Sequence, residues 1–255
     1  MIKILAIGNS FSQDAAYYLY DIAKAGGIDM KMVNLFIGGC SLETHWKNIE
    51  TNEANYYYEL NGQSTDRMIS IKEALLEETW DYITLQQVSS DSGIIESYYP
   101  YFKNVLDYVR ELSPKAKILL HQTWAYEVDS THSEFAKYDG SQEKMYQALM
   151  GAYQRIAEEF SLEQIPCGVV IQNLRKIAAF NYKNGGASLC RDGFHMDLIY
   201  GRYAVAATWY ETILHKSIMD NTFIPPMIDN KEVSIKKINL IKKQVSGTLT
   251  NFLRK

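Results

Sequence analysis

The chain has 255 residues, 47% of them hydrophobic and 22% charged, with a formal net charge of −4 at pH 7. These proportions fit a folded globular protein and exclude a disordered, collagen-like or coiled-coil chain. The acidic balance argues against a general nucleic-acid partner, which requires a basic footprint to displace counterions.

A chain of this length forms one large domain or two small ones, and roughly 73% of its surface can be buried, so a core needs neither disulfides nor metal. No apolar run approaches the roughly 18 residues of a membrane span, and the Ile4–Ile7 run is too short for a signal-peptide core. The expectation is a cytoplasmic protein without a membrane partner. Cys40, Cys167 and Cys190 show no CxxC spacing, so they read as buried free thiols.

Ile2 to Ile7 is an apolar run without alternation, which predicts a strand buried on both faces. The turn Gly8-Asn9-Ser10 follows, and Ala15, Leu19, Ile22 and Ala23 then recur at helical spacing up to Gly26-Gly27. Met30 to Phe36 predicts a second strand, followed by Gly38-Gly39 and a polar stretch through Glu59 read as loop. Ser70-Ile71-Lys72-Glu73 has the form of a capping box opening a helix with Leu75 and Leu76.

Tyr82 to Leu85 is the next strand, and Phe102, Val105, Leu106, Val109 and Leu112 mark an amphipathic helix before Ser113-Pro114. Strand Ile118–Leu120, a helix through Met145, Leu149, Ile156 and Phe160, strand Val169–Ile171 and helix Arg202–Leu214 continue the alternation. Alternating strands and helices predict a parallel sheet with helical crossovers on both faces. The expected architecture is a single three-layer α/β/α domain over residues 1–255, doubly wound and mainly parallel. Residues 230–255 are expected to be an amphipathic C-terminal helix packed on it, with Lys236, Lys237, Lys242 and Lys243 on a solvated face.

In such sheets ligands bind beyond the carboxyl ends of the strands. Ser10 or Ser12 can cap the first helix, or a serine there can be a nucleophile beside free backbone N–H groups. The turn lacks the GxSxG pattern and the Gly-Lys-Ser ending of a phosphate loop. Among the five histidines, His195 lies in Arg191-Asp192-Gly193-Phe194-His195. An Asp three residues before a His, with glycine between, can fold its carboxylate onto Nδ1 and turn Nε2 towards a serine. The competing reading is a surface loop in which Asp192 caps the next helix.

Together, Gly-x-Ser after the first strand, Gly38-Gly39 after the second, a polar turn after the third and Asp192-x-x-His195 near the end resemble the SGNH (GDSL-type) hydrolase superfamily. The resemblance extends to about Leu214 and implies a flavodoxin-like fold and a serine hydrolase. It maps the nucleophile to Ser10, the base to His195, the acid to Asp192, and two oxyanion donors to the N–H groups of Ser10 and Gly39. The superfamily's third block supplies an Asn amide, whereas this chain reads Leu85-Gln86-Gln87-Val88-Ser89, so Gln86 or else Gln87 is the expected substitute. Asn9 stands where many members have Asp, which points to a divergent branch.

Asn9, His45, His121 and Trp124 are candidate substrate-binding residues, and Tyr126 follows the same strand as His121; aromatic packing at the sheet edge is the alternative for the rings. No clustered His/Cys spacing supports a metal, and the expected chemistry needs no cofactor. The expected partner is a small-molecule or carbohydrate ester, with an acetyl group on sugar preferred by analogy. A lipase or thioesterase for short acyl chains, and a weakly catalytic carbohydrate-binding protein, are the alternatives.

Overall fold

A computed structural model describes residues 1–252. Strand β1 (Ile2–Gly8) leads into helices α1 (Ser10–Ala16) and α2 (Leu19–Ala25), then β2 (Met30–Phe36) and α3 (Leu42–Thr51). A hairpin of β3 (Tyr56–Leu60) and β4 (Gln63–Ile69) follows, then α4 (Ile71–Glu77), β5 (Tyr82–Leu85), α5 (Tyr101–Leu112) and β6 (Lys117–His121). The chain continues through α6 (Gln142–Phe160), β7 (Glu163–Ile165), α7 (Cys167–Leu174), α8 (Tyr200–Leu214) and α9 (Ile235–Phe252).

The seven strands form one sheet in the order β4-β3-β2-β1-β5-β6-β7. β2, β1, β5, β6 and β7 run parallel, and the β3–β4 hairpin is antiparallel at one edge. β1 connects to β2 in one direction along the sheet and β5 to β6 in the other. Right-handed crossovers therefore place α1 and α2 on one face and α5 on the opposite one. α8 packs against α1, α2, α7 and α9, while α5 packs against α3 and α4, which gives the two helical layers. Ile4 to Ile7 are buried from both sides, as the run without alternation requires. Among the described residues no helix is long and apolar enough to cross a membrane.

Three sequence expectations are corrected. The stretch read as loop up to Glu59 holds α3 and β3, and β4 follows at once. Tyr56 and Tyr58 are buried while Tyr57 is exposed, the period-two pattern of a strand with one covered face. Val169–Ile171 lies in helix α7, and the strand is the shorter β7 just before it; a brief apolar run fits a buried helix as well as a buried strand. On α9, Lys242 is buried and its Nζ donates to the Asn221 carbonyl, so the lysines do not all share a solvated face. The expected helical boundary at 255 lies outside the described residues.

Candidate active site

The first turn is organised by Asn9. Its Oδ1 accepts from the Phe11 N–H at 3.0 Å and so caps α1, while the Ser12 hydroxyl accepts from the Asn9 N–H at 3.1 Å in a reciprocal box. Ser12 is held further by Asn34 Oδ1 at 2.7 Å. Gly8 is required here, because a Cβ at that position would fall 2.3 Å from Ser12 Oγ. With Asn9 and Ser12 carrying the cap, the Ser10 hydroxyl is left for another partner.

That partner is His195. Its Nε2 lies 2.9 Å from Ser10 Oγ, and its Nδ1 lies 2.7 Å from Asp192 Oδ2. Asp192 Oδ1 also accepts from the backbone N–H groups of His195 at 2.8 Å and Phe194 at 3.2 Å, locking the short turn, and Gly193 supplies its left-handed residue at φ +87°. Burial pushes the Asp192 carboxyl up, but the hydrogen bonds from His195 and Phe194 outweigh it and hold the group below its ordinary range. An ionised Asp192 accepts only, so Nδ1 carries the imidazole proton and Nε2 is free to accept from Ser10.

The loop is fastened from three sides. Arg191 N–H bonds to His195 O, and Cys190 bridges Met196, which closes the loop at its base. From the β6 side, Glu127 N–H donates to Gly193 O at 2.7 Å and Trp124 Nε1 to Phe194 O at 2.8 Å. From α1, the fully buried Asp14 accepts from Met196 N–H at 2.8 Å, Arg191 Nη1 at 2.9 Å and Arg202 Nε at 2.8 Å.

Ser10 and His195 open onto a cleft of about 460 Å³, with Gly39, Phe11, Phe36, Tyr126 and Phe194 among its lining residues. Ser10 is the first residue of α1, so its N–H has no acceptor within the helix. Sequence reasoning found Tyr126 and missed Phe36, His132 and Phe194 as lining residues. Phe36 ends β2 and Phe194 adjoins His195, signals that were available; His132 has no local signal.

Several expected site residues take other places. Gln86 is buried, donating from Nε2 to Asn9 Oδ1 at 2.8 Å while its Oε1 faces His121 Nδ1 at 2.7 Å. Gln87 donates to Ser97 O and Oγ and accepts from Leu42 N–H. Neither amide is part of the cleft lining, so the expected Gln oxyanion donor is not what this geometry offers. His45 is buried against Tyr56 Oη at 2.8 Å, and burial pushes it and His121 down to about 3, so both are neutral near pH 7. Trp124 is buried and stacks on Phe11 with centroids 4.2 Å apart. His45, His121 and Trp124 are thus structural rather than substrate-facing, and Asn9, although at the cleft, has its amide engaged by Cys40 O, Phe11 and Gln86.

The family described as Domain of unknown function (DUF4886) matches residues 3–242. The chain belongs to the DUF4886 family. It is 37% identical to a DUF4886 family protein of known structure from Bacteroides uniformis ATCC 8492, with a TM-score of 0.88 over 98% of this chain and 95% of that one. More distant is a candidate GDSL-like lipase from Parabacteroides merdae ATCC 43184, at 19% identity and a TM-score of 0.58 over 84% and 96% of the two chains. A candidate SGNH hydrolase from Slackia heliotrinireducens shows 19% identity and a TM-score of 0.55 over 83% and 98%. At these identities the likeness concerns the fold, and this DUF4886 chain has the α/β/α fold of SGNH hydrolases. No curated protein matches the sequence.

Proposed function

We propose that this DUF4886 protein is a serine ester hydrolase in which Ser10 is the nucleophile, His195 the general base and acid, and Asp192 the group that orients His195. The observation that carries the reading is the continuous contact from Ser10 Oγ to His195 Nε2 and from His195 Nδ1 to Asp192 Oδ2. Ser10 Oγ attacks the ester carbonyl as its proton passes to Nε2, and the imidazolium is stabilised by the Asp192 carboxylate. The Ser10 and Gly39 N–H groups receive the developing oxyanion. The imidazolium then returns the proton to the leaving alcohol. Water, deprotonated by His195, releases the acid from Ser10.

The cleft is open and modest in volume, which suits a short acyl group better than a long chain needing an enclosed channel. Its aromatic walls, with Gln13 and Arg191 at hand, favour a polar, ring-bearing alcohol such as an acetylated sugar. Intact-mass measurement after exposure to a fluorophosphonate tests the nucleophile without knowledge of the substrate. One adduct is expected on the native protein and none on Ser10→Ala, with His195→Ala slowed at least 100-fold. A folded native protein that takes no adduct would sink the hydrolase reading and turn attention to a binding role.

A further inference from the structure

The cleft lies where the chain changes direction across the sheet, between the carboxyl ends of β1 and β5. Ile7 pairs with Leu85, so the turns leaving the two strands start level with one another. Ser10 stands three residues beyond Ile7, and Val88 three residues beyond Leu85, followed by Ser89 and Ser90 on the turn after β5. All three border the cleft together with Ser10, Gly39 and His195. Ser10 and Gly39 border the cleft from the turns after β1 and β2, and the turn after β5 brings two serines to its lining and neither glutamine amide.

Of these, Ser89 is built into the protein. Its side chain is buried, and Oγ lies 2.9 Å from Tyr126 Oη, also buried and also bordering the cleft. Tyr126 is held in turn: its carbonyl accepts from Gln142 Nε2 at 2.9 Å, and its ring packs on Phe135 and Phe194. Burial raises the Tyr126 phenol to about 12, against a smaller opposing effect of the Ser89 hydrogen bond, so the pair keeps both hydrogens at neutral pH. One hydrogen bond between two hydroxyls uses one of those hydrogens. The other remains for the cleft.

We propose that Ser89, backed by Tyr126, is the third donor to the oxyanion formed when Ser10 adds to an ester carbonyl. Tyr126 O–H donates to Ser89 Oγ, and Ser89 O–H donates to the oxyanion; no bond to hydrogen breaks at either residue. The phenol polarises the serine hydroxyl and strengthens its donation. The inference rests on Ser10 being the nucleophile.

The test is the second-order rate constant for labelling by a fluorophosphonate, whose phosphoryl oxygen occupies the position of the oxyanion. Ser89→Ala is expected to lower it about 100-fold, the effect of losing one such donor. Ser89→Thr keeps the hydroxyl and is expected to stay within about fivefold of the native rate, while Tyr126→Phe, which leaves the Ser89 hydrogen in place, loses about fivefold to tenfold. The thermal midpoint of Ser89→Ala should match the native one within about 3 °C. If Ser89→Ala does not fold, Ser89→Cys preserves the size, weakens the donor and should fall at least tenfold. A labelled native protein with Ser89→Ala reacting at the same rate overturns this inference alone. A native protein that does not label overturns the nucleophile reading and this inference with it.

Discussion

Replacing Asp14 by asparagine separates the anchoring of the His195 loop from the chemistry at Ser10. Asp14 is 0% exposed on α1 and receives Met196 N–H, Arg191 Nη1 and Arg202 Nε. Asparagine keeps the shape and one acceptor oxygen but removes the charge that both guanidinium groups face. Removing one partner of a buried ion pair costs about 3–5 kcal/mol. Arg191 and Arg202 are 28% and 11% exposed, so water takes up part of their charge and places the cost near the lower bound. For a chain of this size about 3 kcal/mol lowers the thermal midpoint by about 6 °C. The loop also loses a tie to the helix that carries Ser10, and a displacement of about 1 Å between reacting groups lowers the rate roughly 100-fold. Calorimetry and the fluorophosphonate rate, both measured on protein still folded at 20 °C, read the two effects. A midpoint within 1 °C of native together with an unchanged labelling rate would refute the anchoring argument; a lowered midpoint with native labelling would confine Asp14 to stability.

Burial of two neutral histidines should cost the protein stability as the pH falls below about 6.5. His45 and His121 are pushed down to about 3 by burial, while in the unfolded chain they titrate near 6.5. Between those values the unfolded state binds more protons, so stability rises with pH and is lost as pH falls below about 6.5, by up to about 1.4 kcal/mol per pH unit for each histidine. The depressed Asp192 carboxyl adds a loss of the same sign only below about 3.9. Urea midpoints at pH 7 and pH 5 should show this slope, and His121→Gln should make it shallower; equal slopes would contradict the neutral buried state. Gln86→Leu removes the donor to Asn9 and the acceptor of His121 Nδ1, at about 1–3 kcal/mol. It should lower the thermal midpoint and the labelling rate together, whereas a slower rate at an unchanged midpoint would restore an oxyanion role to Gln86.

What the sequence reveals follows the range of the interaction involved. The capping box at Ser70 and Glu73 and the turn from Asp192 to His195 depend on residues three apart, and both are visible in a short window. The β2 limits Met30 and Phe36 are set by an apolar run that ends at glycines. β4 was not visible because Gln63–Ile69 is a polar edge strand, exposed along most of its length and fixed by its hairpin partner rather than by a hydrophobic face. Lys242 was misread because its acceptor, Asn221 O, is contributed by a distant turn. The turn from Asp192 to His195 pointed Nε2 towards a serine, but that the serine is Ser10, 185 residues away, came through the superfamily resemblance. The direction of the Gln86 and Gln87 amides was hidden for the same reason: their partners Asn9, His121, Leu42 and Ser97 lie on other turns.

The departures at Asn9 and Gln86 belong together. The Phe11 N–H can only donate, so Asn9 must turn Oδ1 towards it and Nδ2 towards Cys40 O, 3.0 Å away. An aspartate at this position would set a carboxylate oxygen against that carbonyl. With Oδ1 fixed, Gln86 must offer Nε2 to Asn9 and Oε1 to His121, whose Nδ1 therefore carries the proton of a neutral ring. These hydrogen bonds link the turns after β1, β2 and β5 to the end of β6. The amide that the superfamily resemblance would place in the oxyanion site is here buried behind the cleft, tied to Asn9 and His121, and of the third turn it is Val88, Ser89 and Ser90 that border the cleft. Support and donation consequently fall on different residues. Loss at Gln86 should reduce stability and rate together, and loss at Ser89 the rate alone.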